Sequence, residues 1–300
     1  GFHTNGTTNI NTGGTFLLSA GTWTQGSLSD TVTVNSGGTL DLNVDNIFLG
    51  KVIVSSGTLN VATTTTFNND LQYTGGTITN TGTLKFGASS IFDIDAVVSV
   101  PGTVALTGLD AEINIGATST ITTLTIIDSS KLVCAANLTV TNNISVPTGK
   151  TLNYSGAGDI VSNVSLVGSG IFEKSTGIGN ITGTLAFGAA NSTLLISTDT
   201  IRTTPELATT LDLSAAGGTI KIPSGVTFTH PGMNVGAALL TIKGGGIYNN
   251  SSTIGLQHRA STLSLDGVTV TSVTQSVAAT TGSIKVINND ATITTLILTD

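Results

Sequence analysis

One phrase constrains this chain more than any other feature. "GGTLDL" (37–42) is followed by "SGTLNV" (56–61), "GGTIT" (75–79) and "TGTLKF" (81–86). Glycine, then threonine, then alternating apolar residues recur about every 19 positions. The same Thr/Ser-apolar-any-apolar doublet returns at Val104/Leu106, Leu152/Tyr154, Leu185/Phe187, Leu211/Leu213, Ile220/Ile222, Leu263/Leu265 and Ile284/Val286, and in looser form at Leu132/Cys134. Steps of 19 to 22 recur along the chain, from 40 to 59 to 78, from 84 to 104, from 132 to 152 to 171 and from 220 to 242 to 263 to 284, with irregular stretches between 104 and 132 and between 171 and 220. A repeat of this length is the signature of a solenoid, because one short unit cannot bury its apolar side alone and must stack on its neighbours.

Alternation within each phrase defines the local structure. Leu40, Leu42 and Val44 fall on one side of an extended strand, with Thr39, Asp41 and Asn43 on the other. A second run with Val52 and Val54 follows within the same period, so each unit holds two or three short strands. "SSG", "TGG", "NND" and "PTGK" supply the corners, where Gly, Asn and Asp tolerate a positive φ. Composition agrees. Thr (56) and Ser (29) are abundant, whereas there are only three Glu, one Met and ten Lys plus Arg, so good helix formers are scarce. The expected fold is all-β: a parallel β-helix (β-solenoid) of about 15 turns of 19–22 residues, one domain over 1–300, with Leu40, Leu59 and Ile78 stacked in adjacent turns. The stretch 197–210, with Arg202, Pro205 and Glu206, interrupts the pattern and is expected to be an irregular loop or seam.

The same composition narrows the chemistry. Net charge is −7, and the two arginines, Arg202 and Arg259, cannot build a phosphate-binding patch, so nucleic acid is excluded as a partner. No apolar run approaches the length that a membrane-spanning helix needs, so membrane insertion by a helix is not expected. A single cysteine, Cys134, rules out an intramolecular disulfide framework; alternating with Leu132, it reads as a buried core thiol. Glycoside hydrolysis needs two carboxylates at a defined separation. The candidates are Asp93 with Asp95 in "IFDIDAVV" and Asp110 with Glu112 in "LDAEINI"; each pair reads as a solvated strand face rather than a catalytic or calcium pair. Of the three histidines, His3 is terminal, His230 reads as a turn residue before Pro231, and His258 with Arg259 reads as a loop at a solenoid corner. "IKGGGIY" lacks the Lys-Ser/Thr of a phosphate loop. Nine Asn-x-Ser/Thr sequons, at Asn5, Asn137, Asn143, Asn153, Asn163, Asn180, Asn191, Asn249 and Asn250, follow from the abundance of these residues. No catalytic, cofactor-binding or metal-binding residue is assigned, and no cofactor is expected.

The phrases "GGTLDL", "SGTLNV", "GGTITNTGTLKFG" and "GSGIF" resemble the repeats of bacterial surface β-solenoids, the autotransporter passenger domains and filamentous-haemagglutinin-like adhesins. The likeness lies in rhythm and composition along most of the chain. It implies an extracellular or cell-surface location and a structural or adhesive role without turnover, as a fibre or layer building block or an adhesin stalk. The implied partners are other copies of the chain and cell-surface glycans. "GFHTNG" and "ATITTLILTD" carry no visible cap, and an uncapped solenoid end is expected to template addition of another chain. The alternative is a carbohydrate-binding or polysaccharide-degrading β-helix of the tailspike or lyase kind.

Overall fold

The computed structural model describes residues 2–4, 6–21, 23–25, 27–175, 177–197, 210–213, 217–235, 238–250, 254–256, 261–276, 283–286 and 290–299. Among them there are strands and turns and no helix, and every strand pairing is parallel. The fold is a β-solenoid of about 12 turns. By internal contact the chain divides into two compact units, Gly1–Ile144 and Ser145–Asp300.

In the first unit, three rows of inward residues run from coil to coil. Val52, Leu71, Phe92, Ile113 and Leu132 stand in register on the strands Lys51–Val61, Leu71–Asn80, Ile91–Ile94, Ala111–Ile115 and Ser130–Cys134. Phe16, Leu40, Leu59 and Ile78 form the second row, as their spacing predicts. Phe48, Phe67, Phe86, Leu106 and Ile126 form the third. Leu40, Leu59 and Phe67 have no exposed surface. The rings of Phe48, Phe67 and Phe86 stack with centroids 5.5 and 5.2 Å apart, and Phe86 continues across the core to Phe92 at 5.2 Å. In-register stacking of identical side chains follows from the coil length, since a strand spacing of ~4.8 Å places ring on ring.

Corners hold the strands at their bends. In Leu71–Asn80 the chain turns at Gly75 and Gly76, where the register with Lys51–Val61 slips. Gly76 has φ +98°, and a Cβ there would lie 2.1 Å from the Gly57 carbonyl oxygen, so only glycine fits.

In the second unit the principal row is Leu152, Phe172, Leu194, Ile220, Ile242 and Leu265. Val164, Leu185 and Leu211 stack on a second side. A third side carries Phe228, Tyr248, Val270 and Ile293 in register.

The turn count is lower than the sequence suggests because coils are longer than the commonest step: Thr7 pairs with Thr31, a step of 24, and Thr193 with Thr219, a step of 26. The doublet also marks more than one side of a coil, since Leu59/Val61 and Leu84/Phe86 belong to different sheets. Of the interrupted stretch 197–210, residues 198–209 lie outside the described residues. The strands that bracket it keep parallel registers with equal steps of 26, Thr193 to Thr219 and Leu185 to Leu211.

Candidate functional sites

The carboxylates singled out in the sequence sit on an outward face of the first unit. The strand Ile91–Ile94 buries Phe92 and Ile94 and leaves Asp93 half-buried; Asp95 follows the strand end and is exposed. Asp93 lies in register between Gln72 and Asn114. Asn114 Nδ2 donates to Asp93 Oδ1 at 2.9 Å, and Gln72 Nε2 donates to Asp95 Oδ2 at 3.2 Å. The two acids are therefore rungs of an acid–amide ladder across three coils. Partial burial, with the neighbouring Asp95 charge second, pushes the Asp93 carboxyl above the usual range; the Asn114 hydrogen bond and Lys51 oppose the shift. Glu112 is also raised, chiefly by burial, against the opposing charge of Lys131.

Asp110 and Glu112 do not share an arrangement with Asp93 and Asp95. Asp110 is a corner residue with φ +59°, and Lys131 Nζ lies 3.0 Å from its Oδ1. Glu112 is on the strand, in register with Lys131. One lysine thus faces two acids of the neighbouring coil. Both pairs act as inter-coil ties. Among the described residues, His, Cys, Asp and Glu nowhere gather in threes at metal-binding geometry.

Cys134 is buried in register with Ile115, as its alternation with Leu132 predicts. His230 differs from its reading as a turn residue. It is the last residue of the strand Thr227–His230 and points inward with Phe228, almost fully buried. The Gly232 N–H donates to His230 Nδ1 at 3.0 Å, which fixes the ring proton on Nε2, and Tyr248 Oη lies 2.9 Å from the same nitrogen. Burial pushes the Tyr248 hydroxyl well above its ordinary value. Alternation carried this placement; the following proline obscured it. His3 is in the strand Phe2–Thr4, and His258 and Arg259 lie outside the described residues. Of the sequon asparagines, Asn137, Asn143, Asn163, Asn191 and Asn249 are exposed, Asn153 and Asn180 are half-buried, Asn250 is buried and Asn5 lies outside the described residues.

Two features escaped the sequence reading. Lys174 occupies a core position in register with Tyr154 and Ile196, with no exposed surface, and its ammonium lies 4.0 Å from the centre of the Tyr154 ring. The second is a recess of about 520 Å³ in the second unit, lined by Lys221, Lys243, Gly244, Gly245, Asp266, Gly267 and Asp290. Its signal was the phrase "IK" at 220–221 and again at 242–243, followed by "LD" at 265–266. These positions are in register, so Lys221, Lys243 and Asp266 stand on three successive strands.

The chain matches no protein-family model, and no curated protein or solved structure is significantly similar to it.

Proposed function

We propose that this chain is a non-enzymatic structural and adhesive module of a bacterial cell surface, a building block of a fibre, layer or stalk. The observation that carries the reading is the way its side chains are used. Inward rows are continuous hydrophobic ladders, and the carboxylates of the first unit's outward face serve neighbouring coils: Asp93 to Asn114, Asp95 to Gln72, Asp110 to Lys131. The rhythm of "GGTLDL" and "SGTLNV", like that of bacterial surface solenoids, supports the same location. Self-association draws support from the strand Thr292–Thr299. There Leu296 and Ile297 are about half exposed, and a low surface charge does little to repel a second copy.

Two measurements test this. Plant and bacterial polysaccharides incubated with the chain should show no turnover; a cleavage rate abolished by Asp93→Ala would restore the enzymatic alternative. Sedimentation across micromolar concentrations should show assembly that Leu296→Lys prevents. A wild-type chain that stays monomeric into the high-micromolar range would remove self-association and leave the stalk.

A further inference from the structure

We infer that the recess at Lys221 and Lys243 is a binding site for a carboxylated saccharide, a chain bearing uronic acid residues. The inference rests on the adhesive part of the proposed function and gives it a ligand class.

The recess is built where three coils turn. Lys221 and Lys243 end the strands Gly217–Lys221 and Leu239–Lys243 and stand in register as neighbours. Asp266 ends the next strand, in register with Lys243. Like charges directly across adjacent strands destabilise a sheet. Here the two ammonium groups are exposed, and neither is ion-paired with a described residue. Lys131 offers the contrast, held against Asp110 at 3.0 Å. The chain has only ten basic residues in 300, so two of them side by side at the rim of one recess form a local concentration of positive charge.

The floor is glycine. Gly244 has φ +113°, and a Cβ there would lie 2.5 Å from the Ile222 carbonyl oxygen, so the backbone requires glycine. Gly245 and Gly267 follow the same strand ends with φ of +82° and +67°. The volume of about 520 Å³ falls within the range of small-molecule sites.

The lining selects the ligand. Two lysines neighbouring each other across one strand spacing can share a carboxylate. Asp266 and Asp290 add two negative charges to the same wall, which disfavours a doubly charged phosphate. A ligand with one negative charge and several hydroxyl groups satisfies both halves: its carboxylate meets the lysines, and its hydroxyls donate to the aspartates. A uronic acid residue has that distribution. Among the described residues no aromatic side chain lines the recess, so affinity comes from polar contacts and should fall with salt. The net charge of −7 opposes polyanions, which makes a short oligosaccharide with a single uronic acid residue the proper probe.

The test is isothermal titration of the full chain with aldotriouronic acid (4-O-methylglucuronosyl-xylobiose), a trisaccharide with one carboxylate, with xylotriose as the neutral control and inorganic phosphate as the simple-anion control. The aldotriouronic acid should bind at least tenfold more tightly than either control. The double variant Lys221→Ala/Lys243→Ala should lose at least tenfold, with an unchanged far-UV circular dichroism spectrum, while Lys131→Ala binds as wild type. Absence of aldotriouronic acid binding, retention of binding in the double variant, or equal binding of phosphate would overturn the inference. Its failure is separable from that of the proposed function: a chain that assembles in sedimentation yet binds no uronate loses this site alone.

Discussion

Removing the ring of Phe67 tests whether the solenoid is held by coil-to-coil stacking. The side chain is fully buried, and its ring stacks on Phe48 at 5.5 Å and Phe86 at 5.2 Å, with planes within 10° and 16°. Truncating a buried Phe to Ala costs about 3–5 kcal/mol. Two aromatic contacts are lost at once, each worth about 0.5–1.5 kcal/mol beyond burial, so Phe67→Ala belongs near 4–5 kcal/mol. Phe67→Leu keeps most of the buried area and should cost about 1–2 kcal/mol. Each coil touches only its neighbours, so the damage is local. A loss of about 4 kcal/mol at one interface raises local opening by about a thousandfold. Hydrogen exchange followed by mass spectrometry reads this directly. Amides of Asn46–Phe48, Thr64–Phe67 and Thr83–Phe86 should lose up to three decades of protection, while those of the strand Thr227–His230 should not change. A double-mutant cycle of Phe67→Ala with Phe86→Ala should show coupling of about 1 kcal/mol. Protection at Phe48 and Phe86 unchanged in Phe67→Ala, with a global cost below about 1 kcal/mol, would refute stacking as the source of cohesion.

Two further outcomes follow from backbone approach and charge. A Cβ at Gly82 would lie 1.8 Å from the Thr63 carbonyl oxygen of the preceding coil, whereas one at Gly149 meets nothing within 4 Å and faces only an unfavourable φ of +71°. Gly82→Ala should therefore cost more than about 2 kcal/mol and Gly149→Ala about 1 kcal/mol; thermal midpoints in the reverse order would contradict the coil-to-coil distance. Because burial and the Asp95 charge raise the Asp93 carboxyl, the folded chain holds that proton more tightly than the unfolded chain. The folded state gains from acid between the ordinary carboxylate value and the raised one, and the penalty is complete above the raised value. Asp93→Asn should raise the melting temperature at pH 7 and leave it unchanged at pH 3; a loss at pH 7 would mean that the Asn114 hydrogen bond outweighs burial.

The fold was legible wherever the coil length is constant. Leu40, Leu59 and Ile78 follow one another at a constant step, and the alternation of each phrase places them inward, so period and face agree. Cys134 followed from the same alternation. The number of coils was not legible, because dividing the chain by its commonest step misses the longer coils, such as the 26 residues from Thr193 to Thr219. Nor was the recess. The step from Lys221 to Lys243 differs from the step from Lys243 to Asp266, and only the hydrogen-bond register shows that these unequal steps end at the same corner. Asp93 and Asp110 illustrate the opposite limit. Both precede an apolar residue and an acid in sequence, yet one is on a strand and the other at a left-handed corner.

The polar residues of the core show where sequence reading can be extended. All three tyrosines are buried, and each hydroxyl has a partner: Tyr73 donates to the Gly76 carbonyl at 2.7 Å, Tyr154 to the Gly158 carbonyl at 2.5 Å, and Tyr248 meets His230 Nδ1 at 2.9 Å. Two of the three also face an inward basic residue from an adjacent coil, Lys174 against the Tyr154 ring and His230 against the Tyr248 hydroxyl. Burial of an unpartnered polar group is costly, and in a stack of coils the nearest available surfaces lie one strand spacing above and below. An inward polar residue then finds its partner either at the next corner, as the Tyr73 and Tyr154 hydroxyls do, or one coil away in sequence, as the Tyr154 ring finds Lys174 and His230 finds Tyr248. "LNY" and "FEK", or "FTH" and "IYNN", look unrelated when read along the chain. Placed in register they are complementary, so a lysine or histidine on the apolar side of such a phrase is a reason to look one coil in either direction before assigning it to a turn.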